Sequence, residues 1–309
     1  METVLITGGS GMIGKALTAL LVNQGYEVII LSRKERAEKS EGGSVRYASW
    51  NIKEKYIDRG AIEQADHIIH LAGAGVADKR WSTRRKAEIL SSRVDSGKLL
   101  SDSIRSIPNH IRTVISISGI GYYGPDKEGM SKGCAESDPP FNDFLAQTCV
   151  QWEQSLEPVK ALGKRLVIFR TGIVLSKQGG ALKEFVKPLK FGVAAVLGNG
   201  KQVMSWIHIN DLIQMFLLAI QQERISGVYN AVAPQPVTNR ELVIQLAKAR
   251  NGKMFILVQV PAFALKLLLG EMSVEVLKSA RVSADKIQSA GFEFSSPDID
   301  TALKKIRAS

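Results

Sequence analysis

Residues 4–14 read VLITGGSGMIG, and the fold class is predicted from this stretch. Its apolar first part is typical of a buried strand, and a helix pattern through residues 16–21 follows the glycines. Glycine at position 8 permits a tight turn, glycine at 11 lets backbone N–H groups approach a ligand, and glycine at 14 lets the helix pack closely on the strand. The turn therefore predicts a site for the pyrophosphate of a dinucleotide, although a plain strand–helix turn is the alternative. The cofactor-binding residues that we expect from it are Gly8, Ser10, Gly11, Met12 and Ile13.

The first half of the chain continues as alternating strands and helices. Short apolar runs recur at residues 28–31, 67–71, 114–117 and 166–169, separated by helix-length segments. This pattern predicts an α/β protein with a Rossmann-like, doubly wound parallel sheet. After residue 171 glycines and prolines become frequent, which favours a smaller C-terminal α+β lobe. We expect residues 1–175, rejoined by about 203–233, to form the dinucleotide-binding domain, and residues 176–202 and 234–309 to form the substrate-side lobe.

The end of the second predicted strand indicates which dinucleotide binds. The chain reads Ser32-Arg33-Lys34 there, and its first acid, Glu35, comes later. A site for NAD usually places an acid at this point to hold the ribose 2′-hydroxyl. A hydroxyl beside two cations suits a 2′-phosphate instead, because arginine binds phosphate through two parallel hydrogen bonds. The sequence thus predicts NADP, bound by Ser32 and Arg33; the alternative is that the two cations are exposed turn residues.

Composition limits the classes of protein. The chain has 309 residues, of which 45% are apolar and 23% charged, which is typical of a globular protein. No apolar run approaches the roughly 20 residues that span a bilayer, and the opening residues lack the basic start of a signal peptide. Two cysteines, Cys134 and Cys149, are too few for a disulfide framework or a zinc cluster. We therefore expect a cytoplasmic protein without a metal site.

The formal net charge is +11, and the cations are densest at residues 79–86, KRWSTRRK. A nucleic-acid surface with Trp81 as a stacking platform is one interpretation. We favour a solvated helix start, since charges of both signs and inward-facing apolar residues follow.

Further motifs carry a family resemblance. They are HLAG at residues 70–73, SISGIGYYG at 116–124 and SWIHIND at 205–211, with Arg80-Trp81, Trp152-Glu153 and Gly291-Phe292. With the glycine turn, they resemble extended short-chain dehydrogenases, and more narrowly the NAD(P)-dependent epimerase/dehydratase-like subfamily with a C-terminal domain of unknown function. Residues 261–297 resemble that terminal domain, so the resemblance covers essentially the whole chain.

The resemblance implies roles for individual residues. It implies that Leu71, Ala72 and Gly73 line the cofactor and that Ser118 holds the catalytic serine position. It also implies a cofactor contact for Arg93 and a place near the adenine for Trp50. For these last two, a helix-surface charge and a half-buried aromatic are equally good interpretations.

One feature of the resembling enzymes is missing. Relatives that oxidise and reduce a sugar use Tyr-x-x-x-Lys on the helix after the serine, where the lysine lowers the tyrosine pKa from about 10. Aligned on the Trp-Glu pair, these positions hold Leu145 and Cys149, which cannot do this chemistry. The literal match at Tyr123–Lys127 contains a glycine–proline pair and therefore predicts a turn. Tyr123 is kept as a candidate lone acid, because it follows the carboxyl end of a predicted strand.

Structural roles are favoured for the other candidate groups. Asp211 precedes an apolar helix face and is interpreted as its N-cap. His208 lies in an apolar strand and is interpreted as a hydrogen-bonded structural residue. Cys149 has no evident base beside it, so we interpret it as packing rather than as a nucleophile.

Two functions are left open by the sequence. The first is an NADP-dependent oxidoreductase or epimerase-like enzyme acting on a nucleotide sugar or another small molecule, with Ser118 donating a hydrogen bond and Tyr123 assisting. The alternative is a non-catalytic NADP(H)-binding sensor or regulatory protein, which the missing pair favours. We expect neither nucleic acid nor a membrane as a partner, and a homodimer is left open.

Overall fold

The computed structural model describes residues 1–33, 43–126, 132–252 and 254–308. Its strands are β1 (Thr3–Thr7), β2 (Glu27–Ser32), β3 (Val45–Asn51), β4 (Tyr56–Ile57), β5 (His67–His70), β6 (Thr113–Gly119), β7 (Arg165–Thr171), β8 (Ile173–Leu175), β9 (Val193–Leu197), β10 (Val203–Met204), β11 (Trp206–His208), β12 (Gly227–Ala231), β13 (Val237–Thr238) and β14 (Ile256–Val260). Its helices are α1 (Met12–Asn23), α2 (Arg59–Glu63), α3 (Thr83–Ser106), α4 (Phe144–Leu156), α5 (Pro158–Ala161), α6 (Ala181–Leu189), α7 (Ile209–Gln221), α8 (Asn239–Asn251), α9 (Ala262–Leu269), α10 (Ser273–Leu277), α11 (Asp285–Ser289) and α12 (Ile299–Ala308), with 3₁₀ turns at Ile120–Tyr123 and Gly270–Met272.

Eight strands form the central sheet, in the order β12-β7-β6-β5-β1-β2-β3-β4. Neighbouring strands run parallel, apart from the short β4, which is antiparallel to β3. The strand order changes direction between β1 and β5, and open α/β sheets bind ligands in the crevice at such a point. The predicted Rossmann-like, doubly wound parallel sheet is confirmed.

Helices cover both faces of this sheet because its strands are apolar on both sides. Val4 and Ile6 of β1 belong to a core cluster with residues of α1 and α7, whereas Leu5 belongs to a second cluster with residues of α2, α3 and α5. Successive side chains of a strand point to opposite faces, so one apolar run supplies both clusters.

The C-terminal lobe has its own apolar cluster, contributed largely by α6, α8 and α12. Small two-stranded sheets support it: β9 pairs with β14 and β10 with β13, while β8 pairs with β11 nearby. The chain returns to the central sheet through α7 and β12 between the two parts of this lobe. The predicted α+β lobe is thus present, and its exact boundaries stay a prediction. Within the described ranges, no helix has the length and apolar character needed to cross a membrane.

Candidate cofactor and active site

The glycine turn between β1 and α1 has no space for a side chain at position 8 or 14. Gly8 has a φ of +71°, and a Cβ there would lie 2.9 Å from the carbonyl carbon and oxygen of Leu71. A Cβ on Gly14 would lie only 2.5 Å from the Gly8 carbonyl oxygen. The start of α1, the turn and the loop after β5 therefore meet backbone to backbone, as the spacing of the glycines predicts.

Helix α1 begins without a side-chain cap. Its N-cap is Gly11, no side chain accepts a hydrogen bond from the first turn, and that turn contains no acid. The first N–H groups of a helix have no partner inside it and carry a partial positive charge, so this end is suited to an anionic group. The residues expected to bind the pyrophosphate, Gly8, Ser10, Gly11, Met12 and Ile13, all lie in this turn or at the start of α1. Their contact with a cofactor stays a prediction.

A buried threonine–histidine pair ties this turn to the loop after β5. Thr7 Oγ1 accepts hydrogen bonds from the N–H groups of Leu71 and Ala72, both at 3.1 Å. Its own hydrogen is then left to donate to His70 Nδ1, at 2.8 Å. The imidazole therefore carries its hydrogen on Nε2, which faces Ser96 Oγ at 3.2 Å. Burial lowers the pKa of His70 to about 3, in keeping with a neutral ring.

Arg93 of α3 packs against Gly73, which belongs to the loop after β5. Its Nη1 donates to the carbonyl oxygens of Ala74 and Ile89, each at 2.9 Å, and its guanidinium stacks 4.9 Å from the centre of the Trp152 ring. A Cβ on Gly73 would lie 3.1 Å from Arg93 Cζ. Arg93 is thus a buried cation that supports the loop from below, and the interpretation as a helix-surface charge is wrong.

The ribose end of the predicted site is less enclosed. Ser32 ends β2 and is half-buried, while Arg33 follows it and is exposed. Lys34 and Glu35 lie outside the described residues. Trp50 on β3 is only 5% exposed and packs in the second apolar cluster. This burial favours a core role for Trp50, and its contact with adenine stays a prediction.

Ser118, one residue before the end of β6, lies in a buried ionic network. Its Oγ donates to Glu153 Oε1 at 2.8 Å, and Arg170 holds the same carboxylate through Nε at 2.9 Å and Nη2 at 2.8 Å. Although burial acts against its charge, the Glu153 carboxylate keeps the pKa of Arg170 above its usual value. Since a hydroxyl has a single hydrogen, Ser118 presents only lone pairs to other groups. The predicted donor role of Ser118 would require this bond to be exchanged.

The two positions that hold tyrosine and lysine in the resembling enzymes are occupied here by Leu145 and Cys149, which pack against neighbouring residues. A Cβ on Gly121 would lie 3.3 Å from Leu145 Cβ, so Leu145 lies directly against the 3₁₀ turn. Cys149 Sγ donates to the Gly119 carbonyl oxygen at 3.5 Å. Burial and the nearby Glu153 charge raise the pKa of the Cys149 thiol to about 11, so it is neutral and inert near neutral pH.

Tyr123 is buried on the other side of the network. Its hydroxyl donates to Asn230 Oδ1 at 2.6 Å and accepts from Arg170 Nη1 at 3.0 Å. Burial raises the pKa of the Tyr123 phenol, which opposes proton release near neutral pH. These contacts favour a structural role, and a role as a lone acid stays a prediction. Lys127 lies outside the described residues.

His208 and Asp211 act at the start of α7, in a way that corrects the sequence interpretation. The N-cap is His208, whose Nδ1 accepts from Asn210 N at 3.2 Å. Asp211 lies within the first turn and instead accepts from Ser295 and Ser296, at 2.6–3.0 Å. The N-cap prediction for Asp211 was wrong because its carboxylate binds the C-terminal segment.

The basic stretch at residues 79–86 is only partly solvated. Arg85 is buried, with Nη1 2.7 Å from Glu88 and Nη2 donating to the Gly75 carbonyl at 2.5 Å. Lys86 forms an ion pair with Glu271 of the C-terminal lobe. Trp81 donates to the Val76 carbonyl at 2.9 Å, so its N–H is used inside the protein. The helix-start interpretation agrees with Ser82 as the N-cap of α3, but several of these cations anchor loops rather than face solvent.

Four site residues were missed by the sequence reasoning. They are Thr7, His70, Glu153 and Arg170. Three of them lie inside stretches quoted for the glycine turn or the resemblance, so the signal was a polar residue within or beside an apolar strand or helix face. Arg170 had the clearest such signal, since this charged residue directly follows the apolar run at residues 166–169 within β7.

Comparison with known proteins identifies relatives of this chain. Residues 4–231 match the NAD dependent epimerase/dehydratase family, and residues 260–306 match a domain of unknown function, DUF1731. An epimerase family protein of Staphylococcus aureus is 35% identical over 306 residues, which is 99% of this chain and 99% of that protein. The predicted family resemblance and its terminal domain are confirmed.

Two solved structures are similar to this chain in fold. The crystal structure of a human epimerase family protein with NADPH has a TM-score of 0.85 and 28% identity, and the match covers 99% of both chains. A nucleoside-diphosphate sugar epimerase from Corynebacterium glutamicum has a TM-score of 0.76 and 31% identity, over 98% of this chain and 57% of that one. The predicted nicotinamide dinucleotide agrees with the family and with the NADPH of the human protein.

Proposed function

Since this chain belongs to the NAD dependent epimerase/dehydratase family, we propose that it binds NADP(H) and transfers hydride to or from a small polar substrate without a tyrosine–lysine pair. The observation that carries the proposal is the uncapped start of α1 beside a turn whose glycines at positions 8 and 14 leave no space for side chains. Such an arrangement leaves backbone N–H groups available for a pyrophosphate. A cytoplasmic location, suggested by a sequence with only two cysteines, is part of this proposal.

The preference for NADP(H) over NAD(H) is supported by the end of β2. Arg33 follows the strand directly and is exposed, and no acid stands at this point within the described residues. An arginine here can neutralise a ribose 2′-phosphate, whereas NAD offers it only a hydroxyl. The NADPH bound by the human relative supports the same assignment.

The proposed chemistry does not use a tyrosine as the acid–base catalyst. A bound nicotinamide supplies or accepts hydride. Ser118 then orients a substrate by accepting a hydrogen bond, because its own hydrogen is donated to Glu153 at 2.8 Å. Arg170 Nε binds the same Glu153 oxygen at 2.9 Å, so a fixed cation lies close to the serine. A negative charge that develops on the substrate oxygen during hydride transfer is stabilised by this cation, and water gives this oxygen its proton in reduction and takes it up in oxidation.

A specific observation favours a second function, a non-catalytic NADP(H) sensor. Leu145 and the neutral thiol of Cys149 fill the two dyad positions, and the Ser118 hydrogen is already used inside the protein. A protein with these features can bind the cofactor and signal its redox state without turning it over. The nucleotide sugar of the Corynebacterium relative is the first substrate class to test between the two functions.

The cofactor assignment is tested by titrating the protein with NADPH and NADH in a calorimeter. We expect NADPH to bind more tightly, and Arg33→Ala to weaken NADPH about tenfold while leaving NADH unchanged. Lys98→Ala, which removes an exposed cation from α3, is the matched control. A preference for NADH, or no binding of NADPH, would overturn the assignment.

Enzyme and sensor are separated by a substrate screen that follows NADPH absorbance. Turnover that Ser118→Ala reduces supports the hydride-transfer function. Turnover that this variant leaves untouched removes Ser118 from the mechanism, and a screen that includes nucleotide sugars without any turnover favours the sensor.

A further inference from the structure

A groove crosses the C-terminal lobe. It runs between α6, α8 and α12, ends against Ser176–Gln178, and has a cavity volume of about 970 Å³. None of the candidate cofactor or catalytic residues lines it. The groove therefore needs an explanation of its own.

The rims of the groove are strongly basic. Six exposed cations line it: Lys177, Lys183, Lys187, Lys190, Arg250 and Arg307. No aspartate or glutamate is found among its described lining residues, and of the six only Lys187 has a carboxylate partner in the described structure, Glu184 at 2.6 Å. Residues 177–201 contain five lysines and one glutamate, so this segment carries a large share of the +11 net charge. Unpaired like charges on one surface repel each other and are relieved by an anionic partner.

The floor of the groove is aliphatic. Leu182, Val186 and Leu189 recur at spacings of four and three residues, so they share one face of α6. Leu182 and Leu189 belong to the buried core of the lobe, whereas Val186 of α6 and Ile306 of α12 are only partly buried and are the apolar side chains that an occupant can contact. Leu303 and Ile306 of α12 form the opposite side. Aromatic side chains are lacking among the described residues that line the groove, so nucleic-acid bases find no stacking surface there. Apolar floor and basic rims together require a partner that is both apolar and acidic.

We infer that this groove binds an acidic amphipathic helix of a partner protein. The nine residues of α6 extend over about 13 Å, which matches two to three turns of a docked helix. Lys183, Lys187 and Lys190 follow one another along this length, and Arg250 and Arg307 stand on the other helices. Because cations line the groove over its length, the negative charge of the occupant is distributed too. A helix with an apolar stripe flanked by acids meets this requirement, whereas an amphiphile with one anionic head does not.

The probe is a fluorescent synthetic helix of leucine, alanine and glutamate, with leucines at i, i+3, i+4 and i+7. Fluorescence anisotropy measures its binding to the full chain. We expect Lys183→Glu with Lys190→Glu to weaken binding about tenfold or more and Val186→Asp to weaken it similarly, since one removes charge attraction and the other the apolar contact. Lys98→Glu with Lys201→Glu is the matched control, because it changes the net charge equally at exposed lysines outside the groove.

The specificity of the groove for an acidic amphipathic helix is tested with two further peptides and two other ligands. A peptide of the same composition without an amphipathic pattern, and one with lysine in place of glutamate, are expected not to bind. The inference is overturned if either binds equally, if the control pair weakens binding as much as the groove pair, or if the acidic helix fails to bind. Dodecyl phosphate or single-stranded RNA that binds the groove in its place also overturns it. Unchanged thermal unfolding of each variant shows that lost binding is not lost folding.

Discussion

Two regions at the carboxyl edge of the same sheet differ in how their polar groups are satisfied. At the glycine turn, α1 starts without a side-chain cap, so backbone N–H groups face outward. At Ser118, by contrast, the side-chain groups satisfy each other: Glu153 accepts from Ser118 and Arg170, and Arg170 donates to Tyr123. The first region is prepared for an anionic ligand, whereas the second is already stabilised without one. The cofactor and the catalytic assignments therefore rest on different physical grounds.

The largest expected effect comes from breaking the second region at Glu153. Its replacement by alanine leaves the Arg170 charge buried without its carboxylate, since the two side chains are only 11% and 5% exposed. Removing one partner of a buried pair costs about 3–5 kcal/mol of unfolding free energy. Urea unfolding of Glu153→Ala measures this loss, and Glu153→Gln, which keeps hydrogen-bond acceptance but not the charge, is expected to fall between it and the unmodified chain.

An exposed pair provides the control for this measurement. Glu157 and Lys160 lie 2.7 Å apart with side chains about half exposed, and such pairs contribute roughly 1 kcal/mol or less. Glu157→Ala should therefore have little effect. Equal losses for Glu153→Ala and Glu157→Ala would contradict the view of the Ser118 region as an internally stabilised network.

Gly14→Ala is expected to disrupt the first region, the glycine turn at the start of α1. Alanine normally stabilises a helix by about 1 kcal/mol relative to glycine. Here its Cβ would overlap the Gly8 oxygen at 2.5 Å and the Gly9 Cα at 2.6 Å, so overpacking at about 1–3 kcal/mol outweighs that gain. We expect lower stability and loss of NADPH binding in a calorimetric titration. Gly60→Ala in α2, where a Cβ meets only an ordinary contact at 3.4 Å, should keep both properties; a Gly14→Ala protein that binds NADPH normally would contradict the close backbone contact.

The link between β1 and the loop after β5 is tested through pH. The folded pKa of His70 is about 3, below its unfolded value of 6.5, so the unfolded chain binds the additional proton between these values. The stabilisation is complete above about pH 6.5 and is lost as the pH falls towards 3, by about 2 kcal/mol between pH 7 and 5. His70→Asn, whose amide can accept from Thr7 without titrating, should flatten this dependence in urea unfolding. Identical pH slopes for the two proteins would show that His70 is not held neutral.

The difference between the regions also explains what the sequence could predict. The glycines at 8, 11 and 14 act through backbone geometry that is local in the chain, so their spacing predicts the turn and the fold. The pairing of Glu153 with Ser118 and Arg170 joins residues 35 and 17 positions away, and that of Tyr123 with Asn230 spans 107 positions. Such pairs depend on which strands become neighbours, and a single sequence does not give that order. For the same reason Asp211 was interpreted as a local N-cap, although its partners lie 84 and 85 positions further along the chain.

The smallest effect is expected for Tyr123→Phe, which tests whether the second region, the network around Ser118, takes part in catalysis. Tyr123→Phe removes a donor to Asn230 at 2.6 Å and an acceptor for Arg170 at 3.0 Å, which costs about 1–2 kcal/mol in a buried network. Because the phenol lies 6% exposed among these partners, NADPH affinity should not change. If a substrate is found, a structural role predicts that kcat follows the remaining fraction of folded protein. Loss of turnover from a fully folded Tyr123→Phe protein would instead make Tyr123 the lone acid, and the two regions would then form one active site.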